Sequence, residues 1–195
     1  MRYLASVALV ALMITVPSVA MAQAADEPTP AQIHAAAEAF DRGREAYKAE
    51  QYQEAAEQFE RADANAPSAT ALELALRSRD QAGNPDRAAT LAALAEARHP
   101  ENDGLQKLAS DVLVRLKEGL YELKVMCDEP CDLVADSKIV HGARAAERTI
   151  FLLPGKHTLV AGFGEGRSAT KQVSAGAGEA GQAQFEAPDA APKVA

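Results

Sequence analysis

Both cysteines of the chain stand within one five-residue stretch, Cys127-Asp128-Glu129-Pro130-Cys131. Two thiols at that spacing can hold a metal, run thiol–disulfide exchange or pin a turn. A zinc-type site wants four ligands, and no C-x2-C or H-x3-H pattern lies nearby. A haem attachment would need a C-x-x-C-H run, which is absent. A redox-active thiolate sits at a helix N-terminus or beside cations, whereas Asp128 and Glu129 oppose thiolate formation. A structural disulfide is the first expectation, with a redox pair and a metal site as the alternatives.

Other spacings suggest chemistry and then fail on context. Ser168-Ala169-Thr170-Lys171 has the S-x-x-K spacing of serine–lysine acyl-transfer enzymes. That chemistry needs the pair one helical turn apart, but the segment leads from a glycine-rich loop into a strand pattern, and no S-D-N or K-T-G run accompanies it. Gly162-Phe163-Gly164-Glu165-Gly166 lacks the Gly-Lys-Ser/Thr end of a phosphate loop and reads as a strand connection. His34, His99, His141 and His157 are scattered without metal-ligand spacing and read as solvated or turn histidines. Glu54, Glu57 and Glu60 read as a solvated helix face rather than an acid–base pair. No catalytic residue, metal or cofactor is expected.

The N-terminus sets the compartment. Arg2 is the only charge among the first 25 residues, an apolar run follows from Leu4 to Val16, and small residues then fall in A-x-A spacing. This is the layout of a secretory signal peptide over residues 1–24, with cleavage after Ala22 or Ala24. The run is shorter than the ~20 residues that span a bilayer, and no second apolar span follows. The expectation is an exported, periplasmic or cell-surface protein with no membrane span after cleavage. Two cysteines in an oxidising compartment usually pair. The whole chain carries a formal charge of −8, without the clustered cations that nucleic-acid binding needs.

The chain changes character near Gly119. Before it the apolar period is helical, with five expected helices. Thr29, Pro30 and Gln32 form a capping-box start, and Ile33, Ala36, Ala37, Phe40 and Tyr47 share a face. Further helices are expected over Tyr52–Ala64, over Ser68–Gln81, from Asn84-Pro85 to a stop at Pro100, and from Asp103 towards Gly119. After Gly119 the residues alternate. Tyr121, Leu123, Val125 and Cys127 make a strand, Asp128-Glu129-Pro130 turns the chain, and Cys131, Leu133 and Ala135 alternate again. Further strand-like runs follow, with Pro154-Gly155-Lys156 expected as a hairpin turn. The fold class is α+β in two domains: an antiparallel α-hairpin array over residues 29–118, then a small all-β sandwich over 119–187, with a disordered tail at 188–195.

Each half resembles a known family. The stretch GREAYKAEQYQEAAEQFERADANAP resembles one tetratricopeptide repeat, with Gly43, Tyr47, Tyr52, Ala55, Phe59, Ala62 and Pro67 at the packing positions. A second, weaker copy keeps Leu76, Gly83, Ala88, Ala95 and Pro100. The second half resembles the PEGA domain, in LYELKVM, CDLVADSKIVHG, IFLLPGKHTLVAG and GFGEGR, although the literal P-E-G-A is missing. The first resemblance implies a groove that binds peptides or protein surfaces, lined by Arg44, Tyr47 and Lys48, and two cations beside an aromatic suit an acidic partner segment. The second implies a surface or scaffold role in a bacterial envelope. The functional expectation is a non-enzymatic adaptor or scaffold whose partners are envelope proteins. The alternatives are a module for cell-wall glycan or polysaccharide and an unrecognised periplasmic hydrolase. The chain contains no Trp, which counts against glycan stacking.

Overall fold

A computed structural model describes residues 27–190. The expected leader at 1–24 and the last five residues of the expected tail lie outside the described residues. Among the described residues five helices come first: α1 (Pro30–Lys48), α2 (Tyr52–Asn65), α3 (Ala69–Gln81), α4 (Pro85–Arg98) and α5 (Asp103–Leu116). Their starts follow from local chemistry. Thr29 and Gln32 close a reciprocal capping box with Pro30 at the first helical position. The side chains of Ser68 and Asn102 accept the amides of Ala71 and Leu105 at the starts of α3 and α5. Gly83, at φ +68°, follows α3 and lets the chain turn into α4.

The α1 stripe is rotated from the one expected. Ala36, Ala39, Gly43 and Ala46 are buried, whereas Ile33 and Ala37 are exposed. Contact with α2 decides this, because α1 seats its smallest residues there. A Cβ placed on Gly43 would lie 2.8 Å from the Phe59 ring, so only glycine permits the approach. Phe40 meets Phe59 edge-on at 5.4 Å between centroids. Phe59, Leu72, Leu76, Leu91 and Leu105 fill the space between alanine-lined helices.

A single 3-10 turn, Lys117–Gly119, leads into the strands: β1 (Tyr121–Ala135), β2 (Lys138–Ile139), β3 (Ala145–Leu152), β4 (Gly155–Gly164), β5 (Arg167–Ala175) and β6 (Ala180–Phe185). The long strand β1 serves two layers. Its first half pairs antiparallel with β3 and parallel with β6. Its second half pairs antiparallel with β2 and β4, and β4 pairs with β5. Alternate residues of both layers meet in one core, including Leu123, Val125, Leu133, Ile150, Leu159, Phe163 and Phe185.

Two expected turns are corrected by this topology. Asp128-Glu129-Pro130 does not reverse the chain. It is a register irregularity within β1, at the corner where the strand leaves one layer for the other. Cys127 and Cys131 are joined across it, with their Cα atoms 6.3 Å apart. Four fully extended steps would span about 13 Å, so the chain is bunched at the corner. Pro154-Gly155-Lys156 closes no hairpin either. It carries the chain from β3 in one layer to β4 in the other. The tight hairpin joins β4 to β5 through Glu165-Gly166, at φ +50° and +75°.

The helices cover one open side of the sandwich. Ala89, Leu120 and Phe151 form a joint core, flanked by Ala93, Leu113 and Leu116. β3 is an edge strand, and Thr90 of α4 occupies its free backbone, with the Phe151 amide donating to the Thr90 hydroxyl at 2.9 Å. Among the described residues, no helix is long and apolar enough to cross a membrane.

Candidate functional site

Where α4 and α2 meet the sandwich edge, a cleft of about 150 Å³ remains. Its apolar wall includes Leu91, Ile150, Phe151 and Leu152, while Ile139 and Leu153 stand at its mouth and are 75% and 45% exposed. Glu60, Asp86, Arg87, Asp136, Lys138, His141 and His157 bring charge or titratable groups to it.

Most of these groups are committed inside the protein. Glu60 is buried and accepts Arg79 in a two-pronged pair at 2.6 and 3.0 Å, then Arg87 at 2.9 Å. The solvated-face reading of Glu60 is therefore overturned. Its spacing from Ala56 and Phe59 turns it onto the buried side of α2, where the fully buried Arg79 needs a counter-charge. One turn on, Asp63 receives Arg98 at 2.5 Å, His141 at 2.7 Å and the Ser68 amide at 2.9 Å. Burial pushes the Asp63 carboxyl up. The hydrogen bonds from His141 and Arg98, with the Arg98 charge, outweigh it and hold the group below its ordinary value. Asp136 binds His157 at 2.5 Å and the Thr158 amide at 2.9 Å. Partial burial opposes the charged form there too, and the Thr158 amide and His157 hold the carboxyl low. The other His157 ring nitrogen meets the Leu153 carbonyl at 2.7 Å.

Two of the four histidines are thus pinned rather than solvated. His141 spans from the β2–β3 loop to α2, and His157 ties β4 to the β1–β2 turn through Asp136 and to the loop before it through Leu153. His99 is pushed down by burial and then by the neighbouring Arg98 charge, as suits an imidazole that accepts from Arg98 Nε at 3.2 Å. His34 lies exposed beside Glu38.

The remaining candidate residues are dispersed. Tyr47 is half-buried against the helical core and meets the Tyr52 ring edge-on at 5.3 Å. Arg44 is exposed beside Asp41, and Lys48 is exposed in the last turn of α1. Ser168 and Lys171 both lie on β5, paired with Gly162 and Leu159. An odd number of steps puts them on opposite faces of that strand, so the amine does not meet the hydroxyl. Lys171 instead lies over the Phe185 ring at 5.7 Å. The cysteines form a disulfide, so neither is a free thiol or a thiolate ligand. Among the described residues, no group of three or more His, Cys, Asp or Glu could hold a metal ion.

Three arginines surround the disulfide corner. Arg148 donates to the carbonyls of Cys131 and Ala143, Arg144 donates to Pro130, and Arg167 forms a two-pronged pair with Glu129. The bonds from Arg144 and Arg148 give the Pro130 and Cys131 carbonyls side-chain partners at the irregularity in β1.

The fold and its cleft define an α+β chain in which helical hairpins cover one side of a small sandwich. A scan against protein-family models and a search of curated proteins found no match to this chain.

Proposed function

We propose that the chain is an exported, non-enzymatic interaction protein that acts as an adaptor or scaffold in a bacterial cell-envelope assembly. One observation carries this reading. The carboxylates of Glu60 and Asp63 close on cations and a histidine inside the protein and the half-exposed Asp136 closes on His157, while the apolar side chains Ile139 and Leu153 stand open at the cleft mouth. Groups already spent on one another serve rigidity better than proton transfer. The Cys127–Cys131 disulfide supports an oxidising compartment. The likeness of residues 43–67 to a tetratricopeptide repeat, and of the sandwich to a PEGA domain, supports docking within an envelope. In this reading Arg44, Tyr47 and Lys48 offer a cationic, aromatic face to an acidic protein segment.

The test is retention from envelope extract on the immobilised chain, run beside retention on purified peptidoglycan. A defined protein partner, weakened by the double change Arg44→Glu with Lys48→Glu, is the expected result. Retention on peptidoglycan alone would favour a glycan module. Turnover of an envelope polymer by the purified chain, abolished by His157→Ala, would contradict the reading.

A further inference from the structure

We propose that β6 is a docking edge: by strand addition it accepts an extended protein segment with alternate aliphatic side chains and a Lys or Arg at the end that meets Glu122 and Glu179. The proposal rests on the docking reading above and adds a surface at the sandwich edge away from the helices.

One layer of the sandwich runs β3–β1–β6, the other β2–β1–β4–β5. An unpaired strand edge invites another chain, so proteins shorten it, cover it or point a charge inward from it. The edges other than β6 carry such a device. Thr90 of α4 covers β3 at the Phe151 amide. β2 is two residues long. On β5, Lys171 pairs with the buried Leu159, which sets it on the core side of the strand, and its ammonium lies over Phe185. β6 has none of these. Its six residues, AGQAQF, hold no charge and no proline, and among the described residues they pair with β1 alone. Every second residue of β6 turns its N–H and C=O away from β1. Among the described residues no loop backbone or side chain bonds to them.

The core explains the aliphatic preference. The helices close the opposite side of the sandwich at Phe151. On the side of β5 and β6, Val173 and Ala175 pack at the rim of the core and stay half-buried. A strand added to β6 sets every second side chain towards this rim, where aliphatic groups extend the core.

Charge sets the end. At the start of β6, Glu122 pairs with Ala180, and its amide donates to the Glu179 carbonyl. Both glutamates are exposed, and neither has an ion-pair partner among the described residues. Lys124, two residues on from Glu122 and on the same face, reaches the other way, to Glu147 on β3 at 2.8 Å. Lys117 and Glu118 offset one another on the turn before β1. At the far end of β6, Glu186 has Lys171 near it, and the guanidinium of Arg167 is spent on Glu129. The surplus is therefore negative at the start of β6, and a basic side chain complements it. A second copy of the chain is disfavoured: antiparallel pairing of two β6 strands in full register brings Glu179 of one towards Glu186 of the other.

The experiment is a selection of random peptides displayed on phage against the full chain. Enrichment of peptides with a Lys or Arg beside alternating Leu, Ile or Val is expected. A synthetic copy of one such peptide should slow amide exchange along β6 and leave β3 unchanged. It should bind more weakly as salt rises and lose about tenfold in affinity on the double change Glu122→Gln with Glu179→Gln. Both glutamates are exposed, so the variant should stay folded, which thermal unfolding checks. Binding should survive the double change Arg44→Glu with Lys48→Glu. Enrichment without a cation, protection away from β6, indifference to the glutamate changes, or no enrichment would overturn the proposal. A dimer of the unliganded chain that protects β6 would overturn it in favour of a second copy. Binding lost only with Arg44→Glu and Lys48→Glu would also overturn it, while leaving the docking reading intact.

Discussion

Asp63 is the side chain on which most of the molecule converges. It lies on α2, takes a proton donor from α4, another from the α2–α3 joint and a third from the β2–β3 loop, and is 1% exposed. Removing one member of a buried, hydrogen-bonded charge cluster leaves the others unpaired, so Asp63→Ala should cost about 3–5 kcal/mol in urea unfolding at neutral pH. The pH dependence has a definite sign. The folded carboxyl is held below its ordinary value of 3.8, so its contribution is present above that value and lost as pH falls through the lower, folded one. The gap between the protein and Asp63→Ala should therefore narrow in acid and stay constant from mildly acidic to neutral pH. A signal for this residue was present in the sequence. Ala56, Phe59, Glu60 and Asp63 share one helical face, and charges on an apolar stripe point to buried pairs when arginines such as Arg79, Arg87 and Arg98 follow on neighbouring helices. Counting all glutamates as a solvent face hides it.

Among the elements, α1 and β1 carry the most specific constraints. α1 approaches α2 through Gly43, against which the Phe59 ring lies flush, so Gly43→Val should destabilise by about 1–3 kcal/mol through overpacking. Thermal unfolding of the variant checks this, with Gly104→Val as a comparison, because a Cβ there meets only Asn102 at 3.6 Å. β1 depends on its corner. The crosslink closes a five-residue loop, for which chain entropy gives about 2 kcal/mol, so Cys127→Ser with Cys131→Ser should lower the unfolding free energy in urea by that amount and no more. A larger loss would mean that the disulfide holds the two layers together by itself. Helix limits were legible because caps and breakers act within three or four residues of the end they mark, as Thr29 does for α1; at α5 the cap is Asn102, one residue before the expected opening by Asp103 and Gln106, and Gln106 donates instead to carbonyls at the end of α4. The strand turns were not. Asp-Glu-Pro and Pro-Gly-Lys announce a change of direction, but only pairing between residues far apart decides whether the chain returns along its neighbour or crosses to the other layer. The rotated α1 stripe has the same origin, since two registers of small and apolar residues compete and α2 selects the one that lets Gly43 in.

Taken whole, the molecule is two units fixed at an edge rather than two beads on a linker. Thr90 supplies the hydroxyl that covers the backbone of β3, His141 reaches from the sandwich to α2, and Phe151 is buried between the halves. Replacing Thr90 by Val leaves the Phe151 amide without its partner and should cost about 1–3 kcal/mol, with hydrogen exchange rising first along β3 and α4. The division near Gly119 was legible from the change of period in the sequence, but the joint was not, because Thr90 and Phe151, or Asp63 and His141, are distant in the chain and carry no mark of their pairing. We propose that this fixed pair of units presents docking surfaces rather than a reactive centre. Photo-reactive residues placed at Leu153 and at Arg44, and at Lys107 on the far helix α5 as a control, test it in the native envelope. Discrete protein adducts from Leu153 or Arg44, and none from Lys107, are the expected result; equal adducts from all three sites, or none from any, would contradict the account.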